Sequence, residues 1–131
     1  MQFSTLAEPG AADLLRLDVL TRADGTCTLR ALGEVDLASS PLLRRHAMAQ
    51  LYQAPCLLVL DLRGVDFLGS SGLAVLVDLR AEAKRRGIKL RLVATSRVVL
   101  RPLVATGLIK LFDLDTTDTS ADPAETAAPT G

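Results

Sequence analysis

Apolar and polar residues alternate near the start of the chain, and this alternation predicts two strands. Within residues 14–22 the apolar and charged side chains fall on opposite faces: Leu15, Leu17 and Val19 against Arg16 and Asp18. A period of two is typical of a strand with one buried face. Asp24-Gly25 follows, a pair that favours a tight hairpin turn. Residues 26–32 alternate again, so we predict a second strand antiparallel to the first.

A helix and a central strand are predicted next. Pro41 suits the first turn of a helix, where its missing amide proton is not needed, and the serines before it are common capping residues. The predicted helix covers residues 41–53, and Pro55 ends it. Residues 56–62, CLLVLDL, are apolar almost throughout. A short apolar run between such breaking residues indicates a strand that is covered on both faces.

A second helix follows this strand. Residues 71–86 have helical spacing, and Gly87 is a typical helix end. Arg80 interrupts the apolar face, which we interpret as a long side chain reaching out to solvent. The face predicted to be buried consists of Leu73, Leu76, Val77 and Ala83.

The remaining pattern predicts an α/β fold. Residues 88–94 alternate as a strand, residues 95–106 form a helix around Pro102, and a short element lies at residues 112–114. The order is therefore β-β-α-β-α-β-α plus a short C-terminal element. One mixed β-sheet flanked by helices, with right-handed parallel crossovers, accounts for this order.

The same pattern divides the chain into three parts. Residues 1–13 contain Pro9, Gly10 and several alanines with little periodicity, so we predict a flexible N-terminal arm. Residues 14–115 form the single domain. Residues 116–131 consist mostly of Thr, Asp, Ala and Pro, which bury little apolar surface, and a disordered C-terminal tail is predicted.

Composition and charge exclude several classes of protein. The 131 residues include three Phe, one Tyr and no Trp, so the core must be built from Leu, Val and Ala. The 15 basic and 15 acidic residues cancel, which argues against direct binding of nucleic acid or of an anionic membrane. The N-terminus lacks the pattern of a signal peptide, and no apolar run approaches the roughly 20 residues of a membrane span. A cytoplasmic location is the resulting prediction.

The two cysteines predict no metal site. Cys27 and Cys56 lie far apart in the sequence and fit no metal-binding spacing. We expect two buried, reduced thiols, as is usual for cytosolic cysteines. A regulatory disulfide between them is the alternative, and it requires Cα atoms within about 7 Å. No metal or other cofactor is predicted.

The segment DFLGSSGLAVLV, residues 66–77, places two serines between two glycines at a strand-to-helix corner. A catalytic serine needs a base, but the only histidine, His46, lies in the first predicted helix beside arginines. The Gly-Ser-Ser-Gly spacing also differs from the Gly-x-Ser-x-Gly of a nucleophile elbow. We therefore predict no enzyme. Helix capping explains one serine, whereas phosphorylation at a helix N-terminus, where free amides and the helix dipole stabilise a dianion, remains the second explanation.

The serine segment is similar to the signature of the anti-sigma factor antagonists, which are STAS domain proteins. Two further segments resemble the same family: GEVD at Gly33–Asp36, and SRVVLRPLVATGLIKLFDL at residues 96–114. The resemblance covers roughly residues 14–116. It implies a STAS-like single domain that takes part in partner switching. In that cycle the unphosphorylated antagonist binds an anti-sigma factor with serine kinase activity, which frees a sigma factor, and phosphorylation then separates the two proteins.

The resemblance assigns the phosphorylated residue to Ser70, with Ser71 as the second choice. Many members of the family carry Asp before this serine, where the present chain has Gly69. The loop with Glu34 and Asp36 borders the partner surface by the same resemblance, although both residues are also ordinary turn formers. The predicted partner-binding residues are Gly33, Glu34, Asp36, Gly69, Ser70, Ser71, Gly72, Val75 and Asp78.

Val75 is included among the predicted partner-binding residues because of helical geometry. Ser71, Val75, Asp78 and Glu82 are predicted to share the outer face of the helix. An isolated exposed valine is ordinary, but a stripe of partner contacts descending from the serines is the sharper hypothesis.

These predictions combine into one function and one rival. The chain is predicted to be an anti-sigma factor antagonist that binds an anti-sigma factor protein kinase and is switched off by serine phosphorylation. The alternative is a STAS-like module that senses a small molecule or serves as a scaffold, without a phosphorylation switch. Self-association is left open.

Overall fold

The structure is a computed structural model, and it describes residues 3–6 and 14–117. Six strands and three α-helices follow one another in these residues. The strands are β1 (Ser4–Leu6), β2 (Leu15–Thr21), β3 (Thr26–Val35), β4 (Leu57–Leu68), β5 (Lys89–Val93) and β6 (Asp113–Asp115). The helices are α1 (Ser40–Tyr52), α2 (Ser70–Arg86) and α3 (Arg97–Ala105), and a short 3-10 helix (Leu108–Leu111) precedes β6.

The six strands form one mixed sheet in sequence order, β1-β2-β3-β4-β5-β6. The first three strands pair antiparallel, and β3 to β6 pair parallel. Each parallel connection passes through a helix and advances in the same direction. Right-handed crossovers of this kind place all three helices on one face of the sheet. The core lies between that face and the helices, and its fully buried leucines include Leu17, Leu29, Leu43, Leu60, Leu76, Leu92 and Leu103.

The predicted fold class is confirmed, with one strand added. The prediction placed residues 1–13 in a flexible arm, but Ser4–Leu6 pair with β2. Local contacts explain this short strand. The guanidinium of Arg30 lies 3.9 Å from the centre of the Phe3 ring, and Arg16 donates to the Thr5 hydroxyl at 3.3 Å. The rest of the predicted arm, and residues 118–131 of the predicted tail, lie outside the described residues.

Strands β3 and β4 extend beyond their predicted ends at residues 32 and 62. The β3–β4 register shifts twice near Gly33, so the two strands can continue as a pair. Gly33 has a φ of +112°, and a Cβ atom there would lie 1.9 Å from the Leu14 carbonyl oxygen. Only glycine tolerates this conformation and this close approach. The extension places Glu34 of β3 opposite Phe67 of β4, at the edge of the sheet where α1 and α2 begin.

The buried face of α2 differs from the predicted one. Val75 is 5% exposed, whereas Val77 is 36% exposed. The prediction that Val75 lies on the outer face is therefore wrong, and so is the assignment of Val77 to the core. Arg80 donates to the Leu111 carbonyl oxygen at 2.8 Å, so it joins α2 to the 3-10 helix. The residues of α2 that pack inward are Gly72, Val75, Leu76, Leu79 and Ala83.

The cysteines differ in exposure. Both are free thiols, but only Cys27 is buried, while Cys56 is exposed, which corrects the expectation of two buried thiols. Burial raises the pKa of the Cys27 thiol. None of the helices among the described residues combines the length and apolar character that crossing a membrane requires.

Candidate functional site

The predicted site residues converge where β3 and β4 end. The Gly69 amide donates to the Val35 carbonyl oxygen at 3.0 Å, which ties the exit of β4 to the exit of β3. Helix α2 begins at the next residue, Ser70. The loop that leads from β3 into α1, residues 36–39, follows Val35 at the same edge. Carboxyl ends of parallel strands are common positions for functional groups in α/β folds.

Ser70 is exposed at the N-terminus of α2, as the prediction required. The first-turn hydrogen bonds to the Gly69 carbonyl come from Gly72 and Leu73, at 3.0 and 3.1 Å. They leave the amides of Ser70 and Ser71 without a partner among the described residues. Such amides, at the positive end of a helix, stabilise an anion. No described side chain forms a hydrogen bond to the Ser70 hydroxyl.

Gly72 has a structural role inside the domain. It is buried, and a Cβ atom there would lie 2.6 Å from Leu68 Cδ1 and 2.7 Å from Val35 Cγ1. The missing side chain therefore lets α2 approach the sheet. The predicted partner contact of Gly72 stays a prediction, and so does that of Gly33, whose missing side chain lets β2 approach β3.

Replacing Gly72 by valine is expected to lower the free energy of unfolding by about 2–3 kcal/mol, because the added atoms overlap two core side chains. Ala74→Val is the matched control, since Ala74 is exposed on the same helix. Urea titrations of both variants measure the difference. Equal urea midpoints for the two variants would contradict this expectation, because they would show that α2 can move away from the sheet without losing stability.

The loop after β3 is held by its own hydrogen bonds. Asp36 Oδ1 accepts from the amides of Ala38 and Ser39, at 3.0 and 2.9 Å. The buried Ser39 hydroxyl accepts from the Asp36 amide at 2.9 Å and donates to the Glu34 carbonyl oxygen at 2.7 Å. The Ser39 amide holds the pKa of the Asp36 carboxyl below its usual value. The Asp36 carboxylate therefore forms hydrogen bonds within its own loop. The same loop holds Leu37 out in solvent, where the side chain is 82% exposed.

Exposed apolar side chains that the sequence did not assign to the site lie on the same elements as Ser70 or at the same edge of the sheet. Phe67 is 47% exposed although the chain has few aromatic residues, and Leu37 stands at the same edge. On α2, Ala74 and Val77 follow Ser70 at positions i+4 and i+7, so they share its face. We call Leu37, Phe67, Ser70, Ala74 and Val77 the serine patch. Val77 takes the place that the prediction gave to Val75.

Three further predicted partner residues, Glu34, Ser71 and Asp78, are not part of the serine patch. Asp78 forms an ion pair with Arg44, which joins α2 to α1, and both side chains are about half exposed. Glu34 is half-buried. Ser71 is half-buried as well, so Ser70 is the more accessible of the two hydroxyls. The roles of these residues stay predictions.

A mixed sheet covered on one face by helices, with a serine at the exposed start of the second helix, is the architecture implied by the resemblance. The family model described as the STAS domain matches residues 19–122. The chain belongs to the STAS domain family.

Known relatives agree with this assignment. RsfA of Mycobacterium tuberculosis, an anti-sigma-F factor antagonist, is 34% identical over 102 residues, which cover 75% of this chain and 78% of RsfA. The crystal structure of an anti-sigma factor antagonist from Mycobacterium paratuberculosis has a TM-score of 0.75 and 33% identity, and the match covers 93% of this chain and 97% of that one.

A more distant likeness shows the fold alone. The anti-sigma factor antagonist SpoIIAA in its unphosphorylated form has a TM-score of 0.67 at 18% identity, covering 85% of this chain and 92% of that one. The Bacillus cell fate determinant SpoIIAA in the phosphorylated form has a TM-score of 0.62 at 16% identity, covering 85% of this chain and 96% of that one.

Proposed function

We propose that this chain is an anti-sigma factor antagonist that binds an anti-sigma factor kinase through the serine patch and is released when Ser70 is phosphorylated. The observation that carries the proposal is the exposed Ser70 hydroxyl at the start of α2, which follows the exposed Phe67 by three residues and shares a helix face with the exposed Val77. The names of RsfA and of the Mycobacterium paratuberculosis protein support the antagonist role. The solved phosphorylated form of SpoIIAA supports a phosphorylation switch.

The unphosphorylated patch suits a protein partner. Leu37 and Phe67 provide apolar area that a partner can remove from water at about 25 cal/mol per Å². The loop that carries Leu37 is already ordered by the Asp36 and Ser39 hydrogen bonds, so little conformational entropy is lost there on binding. A few well-packed anchor residues usually contribute most of the affinity of an interface.

Phosphorylation would reverse these conditions. The Ser70 oxygen takes the terminal phosphoryl group of ATP, its proton passes to a base of the kinase or to water, and ADP leaves, so the side chain gains a charge of about −1.5 to −2. The free amides of Ser70 and Ser71 stabilise this group in the separate chain. In the complex the same charge would face apolar atoms, and the cost of removing it from water would weaken binding.

The test begins with the anti-sigma factor kinase that the full chain captures from extract of its source organism. The chain is incubated with this kinase, ATP and magnesium, and the phosphate is mapped by mass spectrometry. We expect phosphate on Ser70 in the unchanged chain and in Ser71→Ala, and none in Ser70→Ala. Calorimetry should show that phosphorylation weakens binding by at least about a hundredfold, or about 2.7 kcal/mol.

Three outcomes would contradict parts of the proposal. Phosphate on Ser71 would show that the modified residue is Ser71 and not Ser70. If the phosphorylated chain bound with undiminished affinity, the phosphorylation switch would be contradicted, while the proposed antagonist role would still stand. Capture of nothing except copies of the chain itself would favour the scaffold alternative.

A further inference from the structure

The charged residues in the last part of the chain are separated by sign. From Lys84 to Lys110 every charged residue is basic, and from Asp113 to Glu125 every charged residue is acidic, although the net charge of the chain is +0. Arg97 and Arg101 belong to the basic stretch and lie one turn apart on the exposed side of α3. A chain with this arrangement has an acidic segment directly following a basic surface.

The basic side of α3 borders an open groove. Its volume is about 380 Å³, and Leu100, Val104 and Ala105 line it together with the two arginines. Arg97 and Arg101 form no ion pair with any carboxylate of the described residues. Several other arginines with accessible side chains do form such pairs: Arg44 with Asp78, Arg85 and Arg86 with Glu82, and Arg91 with Asp113. The groove therefore fits an acidic segment with small apolar side chains.

The described chain ends beside the start of this helix. The Ala94 amide donates to the Asp115 carbonyl oxygen at 3.0 Å, and Ala94 precedes Arg97 by three residues. The Thr117 amide then donates to Asp115 Oδ1 at 2.8 Å. Helix α3 has nine residues and is thus about 13.5 Å long. Residues 118–131 can extend about 45 Å at about 3.3 Å per residue, so they can reach the whole groove.

We propose that residues 118–131 bind the groove on α3 of the same molecule. This segment contains Asp118, Asp122 and Glu125, with alanines and prolines between them and no basic residue. The acidic side chains pair with Arg97 and Arg101, and the small apolar side chains cover Leu100 and Val104. Attachment to the fold gives the segment an effective concentration of about millimolar, so weak and salt-sensitive contacts are sufficient. The bound segment would keep acidic parts of other proteins away from α3.

The test compares the full chain with its full-length variant Asp118→Asn/Asp122→Asn/Glu125→Gln by nuclear magnetic resonance at low salt. We expect the α3 amide signals and the Arg97 and Arg101 side-chain signals to shift when the carboxylates are removed. A synthetic peptide of residues 118–131, added to that variant, should return the signals toward their original positions. Raising the salt concentration to about 0.5 M should lower the affinity of the peptide for the variant by about tenfold or more.

Matched variants locate the contact. Arg97→Gln/Arg101→Gln should abolish the peptide effect, whereas Lys84→Gln/Lys89→Gln, two exposed basic residues outside α3, should preserve it. Unchanged α3 signals after the carboxylates are removed would overturn the proposal. Shifts that grow with protein concentration would also overturn it, because the segment would then bind a second copy. Neither result bears on Ser70, since no partner protein is present in the experiment.

Discussion

Val75→Glu is expected to lower the free energy of unfolding by about 4 kcal/mol, while Val77→Glu changes it by no more than about 0.5 kcal/mol. The two valines lie two positions apart on α2, but Val75 packs against the sheet and Val77 stands on the outer face. A carboxyl group at position 75 must be buried without a partner or must pull the helix off the core. Because small domains are stable by about 5–15 kcal/mol, the first variant would lose a large part of its stability.

Urea or thermal unfolding of the two variants measures this difference directly. Both substitutions introduce the same side chain into the same helix, so helix propensity and net charge are matched. Equal stability of the two variants would contradict the assignment of the buried face. The result does not depend on the function of the protein.

Leu37→Asp and Phe67→Ala are each expected to weaken binding of the anti-sigma factor by about 2 kcal/mol, or about thirtyfold. Leu37 is held out by a loop that its own hydrogen bonds order, and the Phe67 ring lies next to Gly69 at the start of α2. Neither side chain belongs to the buried core. The loss should therefore appear in affinity and leave the unfolding free energy nearly unchanged.

Calorimetry with the captured anti-sigma factor tests this expectation. Tyr52→Ala is the matched control, because Tyr52 is a comparably exposed aromatic residue at the far end of α1. Normal affinity of both patch variants, or an equal loss in the control, would place the interface elsewhere. If the phosphorylation of Ser70 is measured in the same variants, the role of the serine patch in binding can be distinguished from the effect of phosphorylation.

The sequence predicted those elements in which one periodicity dominates. Apolar and polar residues alternate along strand β2 and the first part of β3, so both strands were easy to predict, although Asp18 and Thr28 on the second face are buried as well. Strand β1 has only three residues, too few for a period, and is held by contacts of Phe3 and Thr5 with side chains distant in sequence. The later parts of β3 and β4 depend on register shifts near Gly33, which no local pattern records.

The helix that carries Ser70 shows a different limit. Apolar residues occupy more than half of the circumference of α2, because Leu73 and Val77 continue the apolar arc beyond the buried stripe. A helical projection then permits two orientations, and only packing against the sheet selects one. The position of Ser70 at the helix start was predictable from the helical spacing that follows it, whereas its choice as the modified residue came from the resemblance. The exposure of Leu37 was not, because it follows from hydrogen bonds made by Asp36 and Ser39.

The extended backbone at Gly69 bears on the aspartate that many family members carry there. Its φ of −89° and ψ of 179° suit any amino acid, so no conformational barrier keeps the position glycine. A Cβ atom at position 69 would, however, lie 3.3 Å from Phe67 Cε2. The half-exposed Phe67 ring would therefore have to move by a few tenths of an ångström to admit a carboxylate at position 69. An acidic residue there calls for a small displacement of the ring and not for its loss.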